Sequence, residues 1–99
     1  MSESVVIVGA KRTPVGAFQG QFAGVTAVQL GSVAIKAAVE QAGVKGEDID
    51  DAVMGCCLMA GLRQAPARQA VLGAGLPTSV PCTTLTKMCG SAQKSIMIG

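Results

Sequence analysis

The chain has no histidine, no tryptophan and no tyrosine, and only two phenylalanines among its 99 residues. Without histidine, the Cys/His spacings of zinc sites are absent. None of its four cysteines, Cys56, Cys57, Cys82 and Cys89, forms a Cys-x-x-Cys pair either. Without an aromatic platform or a basic run, and with a net charge of only +2, nucleic-acid binding has nothing to rest on. No apolar stretch reaches the ~18 residues of a membrane span, and no charged-then-apolar leader opens the chain. A reducing, cytoplasmic setting with free thiols is expected. The missing histidine also bears on catalysis. A thiol nucleophile needs a base beside it, and these residues offer no imidazole.

What is present is small and apolar. The composition is 49% hydrophobic and 14% charged, with 13 glycines. Such a chain is too apolar for disorder and suits close packing of helices on a sheet. Val5 to Val8 is an unbroken β-branched run and reads as a strand covered on both faces. A long loop with Pro14 and glycines at 16, 20 and 24 follows, to Val25. Loops of that length usually have a job or a partner. Thr26 and Gln29 then have capping-box spacing, with Val25 and Leu30 placed as a hydrophobic staple. Val28, Leu30, Ala34, Ile35, Ala38, Val39 and Ala42 recur on one helical face, and Gly43 is a fitting stop.

Glu47, Asp48, Asp50 and Asp51 lack calcium-loop spacing and read as a solvated turn. Residues 52–58 read as a second strand. A second helix starts at Pro66, with Ala67, Ala70, Val71 and Ala74 as its buried stripe. It ends at Gly75 and Pro77. Residues 80–86 read as a third strand, with Pro81 near its start. A third helix is expected from Cys89 onward, with Ala92 and Ile96 on one side. The order βαβαβα implies parallel strands with right-handed crossovers, and helices against the sheet. Three short strands make a thin sheet, and Ile96-Met97-Ile98 is apolar with nothing after it to cover it. The chain is therefore expected to be part of a larger domain.

Three places are candidates for chemistry. Gly9 to Pro14 follows a strand but lacks both phosphate-loop spacings and leads into no helix, so a structural loop is the better reading. Cys56 and Cys57 on a strand would point to opposite faces, and core packing is favoured over a redox pair. Cys82 reads the same way. Cys89 differs. It lies where a strand gives way to a helix, the side of an open α/β sheet where ligands sit. A helix N-terminus carries about half a positive charge, which favours a thiolate. Gly90 and Ser91 add little bulk, so a carbonyl could approach the sulfur while nearby N–H groups hold an oxyanion. Lys87 would add positive field, or be simply solvated. On position alone, a buried structural thiol at a tight turn is an equal alternative.

Taken in order, these segments resemble the thiolases. "VVIVGAKRTPVGAFQG" is similar to the family's first strand and loop, and "AVQLGSVAIKAAVEQAGV" to its first helix. "MGCCLMAGLRQAPARQAVLGAGLP" is similar to its second strand and helix, and "VPCTTLTKMCGSAQKS" to the segment carrying its nucleophile. The resemblance runs along all 99 residues. It implies an α/β thiolase-like fold, with residues 1–99 as the first βαβαβα part of the N-terminal layered domain, a mainly parallel sheet with helices on both faces. It implies that Cys89 is acylated by an acyl-CoA and that its backbone N–H helps form an oxyanion hole. The acyl group would pass to the enolate of acetyl-CoA, giving a 3-oxoacyl-CoA, or the reverse by thiolysis. Coenzyme A thioesters would be substrates, with no other cofactor and no metal, and the full-length protein would be a homo-oligomer. The activating histidine and a second cysteine would come from a later half of the protein, so the 99 residues alone would not turn over. The family often has Gly-Leu or Gly-Met after Cys-Gly-Ser, where this chain has Ala92-Gln93. Two other readings are a condensing enzyme like the ketoacyl synthases and a non-catalytic α/β fragment or interaction module with a structural Cys89.

Overall fold

The computed structural model describes residues 4–99. Its elements are α1 (Ala27–Ala42), a 3₁₀ turn (Gly46–Asp48), β1 (Ala52–Gly55), α2 (Pro66–Gly73), β2 (Cys82–Leu85) and α3 (Ser91–Ile98). β1 and β2 are parallel, with Ala52 opposite Cys82 and Gly55 opposite Leu85. Bonds from Ala52 N to the Pro81 carbonyl and from Cys56 N to the Leu85 carbonyl, both 2.9 Å, carry the ladder just past each end.

α1 forms as its sequence dictates. The Thr26 Oγ1 accepts from Gln29 N, and Gln29 Oε1 accepts from Thr26 N, which closes the capping box. Gly43, at φ 71°, ends the helix in the left-handed region that glycine takes without strain. The seven apolar positions expected on one face are all half-buried, whereas Val33, off that face, is exposed. α2 starts at Pro66 and buries Ala67, Ala70 and Val71. Ala74, expected in the same stripe, is only half-buried, because α2 ends at Gly73.

Small residues let α1 and α2 close on each other. A Cβ on Gly31 would meet the Ala70 Cβ and the Met54 Cε at 3.3 Å, and one on Gly73 would overlap the Ser32 hydroxyl. That hydroxyl donates to the Ala70 carbonyl at 2.9 Å. The core among the described residues is Ala67, Ala70, Val71 and Val80. Burying each of the two valines contributes about 1.5–3 kcal/mol. Met54 faces α1 and α2, and the next residue, Gly55, faces the start of α3. Successive strand residues point to opposite faces, so helices cover both faces of the sheet, as expected.

Four expectations change. Val5 to Val8 is not a strand: it has no ladder partner among the described residues, and all four side chains are exposed. β-branched content supplies propensity, but a strand exists only through pairing. The chain is tied down just after it, where Ala10 N donates to Gln41 Oε1 at 2.8 Å. The other two strands are shorter than read, because the ladder ends at Gly55 and Leu85. Cys56 and Cys57 therefore fall beyond β1, and Cys57 is exposed rather than packed in a core. Finally, α3 begins at Ser91, two residues after Cys89, and its Ala92 and Ile96 are exposed.

The acidic turn is a turn: Asp48 Oδ2 accepts from Lys45 N at 3.3 Å and Asp51 Oδ1 from Ala52 N at 2.8 Å. Among the described residues, no helix is long and apolar enough to cross a membrane.

Candidate active site

Parallel strands bring their carboxyl ends to one edge of a sheet. The segments after Gly55 and after Leu85 both leave from that edge. The first carries Cys56 and Cys57, the second carries Cys89. All four cysteines are free thiols. Cys56 Sγ lies 3.5 Å from the Leu58 carbonyl and Cys82 Sγ 3.3 Å from the Val80 carbonyl. Both are local contacts at half-buried positions. Cys89 is exposed among the described residues.

The turn from β2 to α3 is made by Lys87, Met88, Cys89 and Gly90. Met88 sits at φ 52°, in the left-handed region. For a residue with a Cβ that conformation costs about 1–2 kcal/mol, so the surroundings must hold it. Ser91 does so. Its side chain, with 4% of its surface exposed, accepts from Lys87 N at 2.9 Å and donates to the Met88 carbonyl at 2.6 Å. Around the turn, the N–H groups of Lys87, Met88, Gly90 and Ser91 all have acceptors: Ser91 Oγ, Thr86 Oγ1, the Lys87 carbonyl and the Met88 carbonyl. The Cys89 N–H has none among the described residues. An open main-chain donor thus adjoins an exposed thiol at the head of an eight-residue helix, the arrangement an acyl-transfer nucleophile requires.

α3 is placed by β1. A Cβ on Gly55 would overlap the Ser91 carbonyl carbon and Ala92 N, so only glycine lets the first turn of α3 lie against the strand end. The loop before α2 is fixed by side chains. Gln69 Nε2 donates to the Leu62 and Gln64 carbonyls, each at 2.7 Å. Thr84 Oγ1 accepts from Ala67 N at 3.0 Å. Arg68 donates to the Val80 and Thr78 carbonyls at 2.9 Å.

A cleft of about 90 Å³ opens between α1, α2 and the end of β1, lined by Val28, Met54, Cys56, Leu62 and Ala67 among others. A second, of about 330 Å³, adjoins Thr26, Arg63 and Gln69. Cys89 lines neither. Lys87 is exposed, and it enters the turn through its main-chain N–H. Gln93 and Ala92, the departures from the family's usual pair, are both exposed rather than packed. In the sequence Ser91 stands out only as a small residue, and nothing marks Gly55. A serine two residues past the cysteine, able to bond back to the turn, was the available signal for the first. The second depends on where α3 crosses β1, which no local pattern encodes.

Comparison with known proteins bears on the family and the fold. The family model for the thiolase N-terminal domain matches residues 5–99. A mitochondrial acetyl-CoA acetyltransferase of Xenopus tropicalis is 55% identical over 95% of this chain and 22% of its own length. A cytosolic acetyl-CoA acetyltransferase of Gibberella zeae is 56% identical over 96% of this chain and 24% of its own. The Acat5 thiolase of Ascaris suum, solved in complex with coenzyme A, superposes with a TM-score of 0.88 at 35% identity, over 94% of this chain and 24% of that one. The chain thus spans under a quarter of the length of these three relatives. On the match from residue 5 to residue 99, the chain belongs to the thiolase family.

Proposed function

We propose that this chain is the first part of the N-terminal domain of an acetyl-CoA C-acyltransferase, with Cys89 as the residue that carries the acyl group. The Cys89 sulfur attacks the thioester carbonyl of an acyl-CoA, and the oxyanion draws on the Cys89 N–H. The C–S bond to coenzyme A then breaks, and coenzyme A leaves as a thiol with the proton taken from Cys89. The enolate of a second acetyl-CoA displaces the cysteine, giving a 3-oxoacyl-CoA; thiolysis runs the same steps backwards. The chain contains no histidine, so an activating histidine would have to come from outside these residues, and the likeness to the thiolases implies that a second cysteine comes from there too.

The observation that carries this reading is the exposed thiol beside an open N–H at the β2–α3 turn, in a chain of this family. The names of the relatives and the coenzyme A in the Ascaris structure support acetyl-CoA as substrate. We place the intact enzyme in the cytoplasm as a homo-oligomer; the free thiols fit a reducing compartment, although similar proteins carry both cytosolic and mitochondrial names. The test is to incubate the intact protein with acetyl-CoA and map the label by mass spectrometry. One acetyl group on Cys89, lost in Cys89→Ser, is expected. An unlabelled Cys89 in a protein that still makes acetoacetyl-CoA sinks the proposal.

A further inference from the structure

We infer that Ser91 is a positioning residue for acyl transfer, holding Met88 in its left-handed conformation so that the Cys89 N–H stays open towards the substrate. The inference rests on the reading of Cys89 as the nucleophile. Three observations carry it. The Ser91 side chain is 4% exposed, and its oxygen is used twice, on the Lys87 N–H at 2.9 Å and the Met88 carbonyl at 2.6 Å. Those two groups bracket the strained peptide, with Met88 at φ 52°. Of the five N–H groups from Lys87 to Ser91, the one left without an acceptor among the described residues belongs to Cys89.

The mechanism follows from the strain. A methionine does not choose positive φ unaided. Two hydrogen bonds from one buried hydroxyl offset its cost. Remove them, and Met88 can relax to negative φ. Its C-terminal peptide, which includes the Cys89 N–H, then rotates. The thiol would still be exposed, but the oxyanion would lose an aligned donor. Removing one such donor costs about 10²–10³ in rate where it has been measured.

This separates two reactions of the same sulfur. Alkylation by iodoacetamide is a direct displacement of iodide and builds no oxyanion. Acetylation by acetyl-CoA does. In the intact natural protein, Ser91→Ala should slow acetylation of Cys89 by at least about tenfold, while its alkylation changes by less than about threefold. Met88→Gly should rescue it, because glycine adopts the left-handed turn without help. The double variant should acetylate within about threefold of Met88→Gly alone, and fold even where Ser91→Ala does not.

Equal acetylation in Ser91→Ala and wild type overturns the role of Ser91 and leaves the nucleophile reading intact. So does a parallel loss of both reactions, or a double variant that stays slow or unfolded. If wild-type Cys89 is alkylated but never acetylated, the nucleophile reading fails and this role falls with it.

Discussion

Backbone strain at single residues is unevenly supported in this molecule. Besides Met88, the positive-φ positions without glycine are Gln19, Arg63 and Ala65. Met88 has a buried hydroxyl at its carbonyl. Ala65, at φ 49° and ψ 66°, caps α2 without a side-chain bond. Its loop is held from outside, by the Gln69 amide on the Leu62 and Gln64 carbonyls. Ala65→Gly should therefore stabilise the protein by about 0.5–1 kcal/mol, the left-handed penalty less the extra entropy of glycine in the unfolded chain. A urea midpoint that rises with unchanged slope would bear this out. A midpoint that falls would mean the loop is not strained at Ala65. At this scale the sequence was partly legible. Cys89 could be picked out from its place between an apolar run and a helical pattern. Positive φ at Met88 and Ala65 could not, since neither residue type announces it; it is imposed by hydrogen bonds from residues three and four positions on.

Among the elements, those whose determinants are local were readable and those that depend on contact were not. Thr26, Gln29 and Gly43 delimit α1 through bonds within a few residues of each helix end, and Pro66 opens α2 for the same kind of reason. Val5 to Val8 carries the propensity of a strand yet lies exposed, because the ladder it would join is fixed by pairing elsewhere. Gly55 is the other contact-dependent case. Any side chain there collides with the main chain of Ser91 and Ala92, so Gly55→Ala must push α3 off the end of β1. Overpacking of that kind costs typically about 1–3 kcal/mol. Because the displaced turn carries Cys89, Gly55→Ala should also slow acetylation of that residue in the intact protein. Gly61→Ala is a useful contrast: nothing lies within 4 Å of the added Cβ, so its cost is confined to its own φ of 78°. A Gly55→Ala protein with wild-type stability and labelling rate would show that α3 does not depend on this contact.

Across the whole molecule, surface is the quantity out of balance. The chain exposes 7288 Å², against about 5,200 Å² for a folded monomer of its mass. Its radius of gyration, 13.9 Å, is also above the ~13 Å usual for this length. The difference of roughly 2,000 Å² is the area a substantial protein interface removes from water. Its apolar part is visible by name: Val5, Ile7, Phe18, Leu58, Ile96 and Met97 are each at least 70% exposed. Among the described residues four hydrophobic side chains are buried, two of them alanines, and these cannot supply enough burial to outweigh the ordering entropy of the chain. Expressed by itself, the 99-residue chain should therefore bind a hydrophobic dye such as ANS and elute from a sizing column as a species larger than 9.9 kDa, growing with concentration. It should also form no acetoacetyl-CoA from acetyl-CoA over repeated turnovers, since it contains no histidine to activate the thiol. The two measurements test different things. A monomer that binds no dye and unfolds in one cooperative step would show that the exposed apolar residues are tolerated without cover. Sustained turnover would show that the base chemistry lies within these residues after all, and would move the search for it to Lys87 and the acidic turn.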